Sequence, residues 1–376
     1  MNDLRPAARL PLLALGMIAL LAGVLAGLAR LAWDVPAPAA ALAGGHGALM
    51  IAAFFGTVIS LERAVALGRG GFYLAPAAAG LGGVALLAGA PVAAAQILAI
   101  VAAATLVAGS VQVLRRQLAL FTVILFVGAL CWLIGNIAWL AAGSIPAVTP
   151  WWLAFLVLTI AGERLELTRF LPTPKAAPGV FVAIVGAVLA GATWTFRDES
   201  AGLALFSAGL LALAAWLLRY DIARHGARRQ GLTRFIALCL LSGYAWLAAA
   251  ALLGLAGGFV PGHPLRDAAL HAVGLGFVFA MVFGHAPIIF PAVTRVKIPY
   301  SPSFYLPLLA LHASLVLRVA GGVGENFALR REGGLANACA LLLFIATLAI
   351  AVRRGRRRDL AGNTAISREP VHEQHR

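Results

Sequence analysis

The sequence predicts an all-α, polytopic membrane protein with about twelve transmembrane helices. Three observations carry that expectation. Only 11% of the 376 residues are charged, while 62% are hydrophobic. Apolar runs of about 20 residues, long enough to cross a hydrocarbon core, recur along the whole chain. The basic residues gather in short groups between those runs, as they do where cytoplasmic loops meet anionic lipid. The net charge of +15 is therefore assigned to a lipid bilayer, and no nucleic-acid partner is expected.

Reading apolar runs between polar breaks puts spans near 10–32, 40–61, 72–89, 92–113, 118–141, 149–165, 177–195, 201–218, 233–256, 266–293, 303–321 and 333–352. The first run is longer than the apolar core of a signal peptide, so it is read as a helix although "APAA" follows it. Residues 1–352 then form a single transmembrane domain, and 353–376 a basic, disordered cytoplasmic tail. His372 and His375 belong to that solvated tail. The longest inner loop, 219–232, reads "RYDIARHGARRQGL" and makes a basic surface segment around His225. Cys131, Cys239 and Cys339 are scattered through apolar segments with no spacing that pairs them.

Two even-numbered spans end alike. "ISLERAVAL" closes the second and "IAGERLELT" the sixth, with Glu62-Arg63 and Glu163-Arg164 in matching places, and Thr294-Arg295 closes the tenth. A four-helix unit taken three times, giving three four-helix arcs, would make these spans equivalent. Acid–base pairs at a membrane interface also serve as plain snorkelling anchors, and the sequence leaves both readings open.

Four of the eight histidines are placed where membrane helices are expected. His46, His271, His285 and His312 lie in or near apolar runs, where ionisable groups are costly and mark functional sites by default. His46 and His271 fall at similar depth near the outer ends of spans two and ten. His285 follows His271 by fourteen residues on the same helix, about 21 Å further in and nearly in phase for a straight α-helix. His312 on span eleven falls nearer to His285. This gives two levels of candidate metal or cofactor ligands, an outer pair His46/His271 and an inner pair His285/His312. Each imidazole equally satisfies a plain hydrogen bond to a backbone carbonyl. The small residues in "GGHGALM" and "HAVGLGF" leave room for a flat group or for close helix packing. Pro287 and Pro291 predict a broken inner half of helix ten, a feature shared by metal sites and transporters.

The stretches "HGALM" and "HAVGLGFVFAMVFG" resemble the NnrS family of twelve-helix membrane haem proteins. That family is associated with nitric oxide or nitrosative stress, reported to contain haem and copper, and distantly like the core subunit of haem-copper oxidases. His46 and Met50 match the first and last positions of its His-x-His-x-Met pattern, and Ala48 stands in place of the second histidine. His271, Ala272, Gly276, Met281 and Gly284 match its helix-ten motif, while His285 stands where an aliphatic residue is usual. The resemblance covers these two stretches and the helix count. It implies haem, with or without copper, as cofactor, His46 and His271 as haem ligands, and a redox partner or small gaseous molecule as partner. The location it implies is a bacterial-type inner (plasma) membrane. A secondary transporter of a small anion or metabolite, with the histidines and the broken helix ten at its site, is the alternative from another class; a scaffold without chemistry is the third.

Orientation follows from the positive charges. With the N-terminus inside, the inner segments hold 23 of the 29 Lys and Arg residues, which puts both termini in the cytoplasm. Reporter fusions at Ser144 and Gly226 are expected to give outside and inside signals respectively. The reverse at either position would overturn the assignment.

Overall fold

The structure, a computed structural model, describes residues 3–169 and 171–366, with side chains through residue 355. Twelve helices are long and apolar enough to cross a membrane: α1 (Pro6–Ala29), α2 (Ala48–Leu67), α3 (Gly70–Leu87), α4 (Val92–Arg116), α5 (Leu120–Ala142), α6 (Ile145–Thr168), α7 (Ala177–Trp194), α8 (Glu199–Tyr220), α9 (Gly231–Gly258), α10 (Arg266–Thr294), α11 (Pro302–Val323) and α12 (Phe327–Gly355). The protein is an all-α, multi-pass membrane protein. Helices suit the bilayer because each satisfies its own backbone hydrogen bonds there. Local signals set the ends. Gly68 and Gly143 take left-handed conformations, with φ of +63° and +64°, after α2 and α5. The Asp198 side chain accepts the Ala201 N–H at the start of α8.

The second span begins later than its hydropathy suggests. Residues 37–45 form only a short helix and a 3-10 turn, and the long helix starts at Ala48. Gly44, Gly45 and Gly47 favour this irregular entry. His46 consequently sits in the mouth of α2. At the other end, the last helix runs on to Ile366 through the first part of the expected tail. Residues 367–376, with His372 and His375, lie outside the described residues.

Helices α2, α6 and α10 meet one another at the centre of the bundle. Their apolar windows are 61%, 78% and 61% buried, against 56% or less for the other nine. The three spans that a four-helix repeat makes equivalent are thus the central three. Around them pack the sequential neighbours α3–α4–α5, α7–α8–α9 and α11–α12–α1.

Two of the central helices change their winding. Ala48–Phe55 in α2 and Ala272–Phe279 in α10 are π-helical. Each stretch follows a histidine within two residues, and short π segments inside α-helices often occur at functional sites. The stretches pack on each other: the Phe279 ring centroid lies 5.9 Å from that of Phe54 and 5.2 Å from that of Phe55. Beyond its π stretch α10 continues as unbroken helix from Ala280 to Thr294 with both Pro287 and Pro291 inside it. The departure from α geometry expected at the prolines lies upstream of them instead.

Close backbone approach fixes the outer pairs. A Cβ added at Gly191 of α7 would run into the Phe206 backbone on α8, whereas one at Gly186 would meet nothing within 4 Å. Gly191→Ala is expected to cost about 1–3 kcal/mol in thermal unfolding in detergent, the usual range for overpacking. Gly186→Ala should leave the melting temperature unchanged or slightly raised.

Candidate functional site: a histidine-lined cavity

A cavity of about 540 Å³ opens among α1, α2, α6, α10, α11 and α12 at the end opposite the basic loops. That volume suits a small-molecule or cofactor site. Phe55 and Phe279 from the two π stretches line it, together with Met50, Leu156 and Leu270. His46 and His271 both face into it.

The two imidazoles are held alike. His46 Nδ1 is 2.7 Å from the Gly23 carbonyl oxygen of α1, and His271 Nδ1 is 2.8 Å from the Asp267 carbonyl oxygen one turn earlier in α10. A carbonyl only accepts, so each Nδ1 carries the proton and each Nε2 keeps its lone pair. Fixing the far nitrogen in this way is how metal-binding histidines are oriented. The ring centroids are 6.1 Å apart and the ring planes differ by 23°. That is a loose, offset stack. Two roughly coplanar imidazoles bound to opposite sides of one metal at about 2 Å would have centroids roughly 6 Å apart.

Asp267 anchors the second ring further. Its carboxylate takes a two-pronged ion pair from Arg318 of α11, with Arg318 Nε and one terminal nitrogen each 2.8 Å from a carboxylate oxygen. One of those oxygens is also 3.3 Å from His271 Nδ1. On the first ring, space is limiting: a Cβ added at Gly27 would lie 2.9 Å from His46 Cε1. A Cβ at Gly274, which lines the cavity, would meet nothing within 4 Å.

The wall is cationic. Six basic residues lie outside the inner segments, namely Arg30, Arg197, Arg266, Arg318, Arg330 and Arg331. Four of these, Arg30, Arg266, Arg318 and Arg330, line the cavity, with Asp267 as its one acidic residue. Arg318 is committed to Asp267, and Arg266 donates to the Phe259 carbonyl. Arg330 Nε is buried without a hydrogen-bond partner. An apolar slot with spare guanidinium groups at one end suits a flat, largely apolar ligand bearing carboxylates.

The inner histidine pair does not form. His312 accepts the Trp246 N–H at Nδ1, 3.0 Å away, and sits 2.9 Å from Ser242 Oγ through Nε2. Both of its ring nitrogens are thereby engaged with α9. His285 donates from Nδ1 to the Met281 carbonyl oxygen at 2.7 Å and lies within electrostatic reach of Arg164 on α6. No ring contact or hydrogen bond joins His285 to His312 among the described residues. The physical reason is that His312 is turned towards α9 by both its hydrogen bonds; separately, each π turn takes in an extra residue, so the phase calculated for a straight α-helix between His271 and His285 does not hold. Nor do the described residues contain a group of three or more His, Cys, Asp or Glu side chains placed to hold a metal ion.

Other residues of the two sequence stretches divide between the cavity and packing. Met50 lines the cavity. Met281 packs towards Gly243, and Gly284 against Cys239, both on α9. Sequence reasoning missed Gly23, Gly27, His263, Asp267 and the four arginines. The signal for Asp267 was present, since an acid four residues before a histidine shares its helix face.

Fold and site together define a multi-pass α-helical membrane protein with a two-histidine cavity at one end of its central helices. The chain belongs to the family described as a domain of unknown function, DUF8744, which matches residues 9–353. No curated protein matches the chain.

The Asp267–Arg318 pair has a direct stability consequence. Removing one partner of a buried ion pair costs roughly 3–5 kcal/mol. Asp267 is 23% exposed, so Arg318→Met is expected to lose about 2–3 kcal/mol in detergent unfolding. The double variant with Asp267→Asn should lose less than the two singles combined.

Proposed function

We propose that the protein is a membrane haem protein in which His46 and His271 would together hold one haem. The reading rests on one observation above the others: two imidazoles with protonated Nδ1 and free Nε2 face one cavity at the separation that a shared iron requires. The apolar walls suit the ring, and Arg30, Arg266 and Arg330 suit its carboxylates. The resemblance of both histidine stretches to NnrS-like proteins supports the same assignment.

A haem held by two histidines supplies reversible one-electron transfer. The protein's own part is to orient both imidazoles through Gly23 and Asp267, to keep the ring in an apolar slot, and to balance its carboxylates. Because His46 and His271 would both be engaged by the group, the proposed role is electron transfer with a redox partner rather than direct binding of nitric oxide or oxygen at this level. We place both termini in the cytoplasm of a bacterial-type inner membrane, with the cavity near the outer face, on the distribution of basic residues.

Two parts of the sequence expectation are not carried into this reading. Copper finds no second ligand set among the described residues. The transporter alternative leaned on a proline-broken helix ten, and that helix is continuous through both prolines.

Absorption spectra of purified protein test the assignment. Wild type is expected to carry about one haem per chain with a low-spin spectrum. His46→Ala and His271→Ala, each confirmed as folded and inserted, should both lose that spectrum. A wild-type spectrum in either variant removes that residue as a ligand and ends the pairing.

A further inference from the structure

Below the Phe54–Phe55–Phe279 packing, towards the basic loops, lies a second set of ionisable groups that the cavity does not use. Glu62 of α2 and Glu163 of α6 each stand five residues before the end of their helix. They lie within electrostatic reach of one another, with Arg63 and Arg164 as neighbouring cations and Glu166 as a further carboxylate. Neither Glu62 nor Glu163 has an ion-pair or hydrogen-bond partner among the described residues.

Beside them three polar atoms from three parts of the bundle are buried without a close hydrogen-bond partner: Arg164 Nε, Asp221 Oδ2 and the Tyr244 hydroxyl. Their residues are 6%, 1% and 0% exposed. Asp221, just beyond α8, uses its other carboxylate oxygen to accept the Ala223 N–H at 2.6 Å. Tyr244 of α9 lies close enough to Asp221 for its hydroxyl to donate to that carboxylate in a loose hydrogen bond, which leaves Arg164 Nε as the clearest orphan, and Arg164 lies within reach of Glu163, Asp221, Tyr244 and His285. A buried polar group left without a partner is destabilising. Three converging in one place are the usual setting of ordered internal water. Two carboxylates that share Arg63 inside a membrane domain, with Arg164 also shared with Asp221, are disfavoured as two anions.

We propose that this cluster is a hydrated proton-exchange site open to the basic face, in which Glu62 and Glu163 hold one proton between them. The step is a transfer without redox change. A water-borne proton forms an O–H bond at one carboxylate, leaving water behind, and departs by the reverse step. Water held by Arg164, Asp221 and Tyr244 carries it to and from solvent. The aromatic packing above separates the site from the histidine cavity, so exchange is with the basic face. Nothing in this proposal requires haem.

Infrared spectroscopy of the purified full-length protein tests it. At neutral pH in a choline buffer, wild type should show the C=O stretch of a protonated carboxylic acid, and the band should shift on mixing into D2O. Glu62→Gln and Glu163→Gln should each abolish it, because the remaining carboxylate then has Arg63 to itself and ionises. The proposal is overturned if wild type has no such band or if the band does not shift in D2O. Survival of the band in either variant overturns it too. Loss of the wild-type band when sodium replaces choline would mark a cation site instead, and would also overturn it.

Discussion

The meeting of α2, α6 and α10 along the bundle axis is the contact on which the remaining structure depends. Helices in a bilayer gain little from burying apolar side chains against one another, because lipid is equally apolar, so association rests on close packing and a few polar contacts. The central helices are the most buried in the molecule, and two of them carry the π stretches behind the cavity histidines. A π turn widens the helix and re-aims the side chains beyond it. This lets Phe55 and Phe279, backed by Phe54, line the cavity together with His46 and His271.

Charge is divided along the same axis. The basic loops meet one membrane face, as lipid electrostatics favour. Arg30, Arg266, Arg318 and Arg330 sit at the other end around a single carboxylate. Of the second group, only Arg318 has an ion-pair partner within the cavity. The ionisable groups between Glu62 and Tyr244 form a separate unit towards the basic face.

Much of this was legible in the sequence. Twelve spans follow from apolar run length alone, and "LER" and "GER" in matching places singled out spans two and six, which are among the three most buried helices. His46 and His271 were paired by depth, and the structure brings them into one cavity. Three features were not legible. The late start of α2 depends on glycines whose effect on backbone entry hydropathy does not measure. His285 was placed by the phase of an ideal helix, which the π stretch between it and His271 invalidates. The arginine-lined wall brings together residues from the ends of α1, α10, α11 and α12, far apart in the chain, and only the packing of those helices reveals that they share a cavity.

The central claim is that His46 and His271 share one iron with their ring planes nearly parallel, and electron paramagnetic resonance of the oxidised protein tests it most directly. Ring planes 23° apart predict a rhombic low-spin signal, the form given by two nearly parallel axial imidazoles. A high-spin signal would mean that one imidazole is not bound, and the absence of any haem signal from fully loaded membranes would contradict the account altogether.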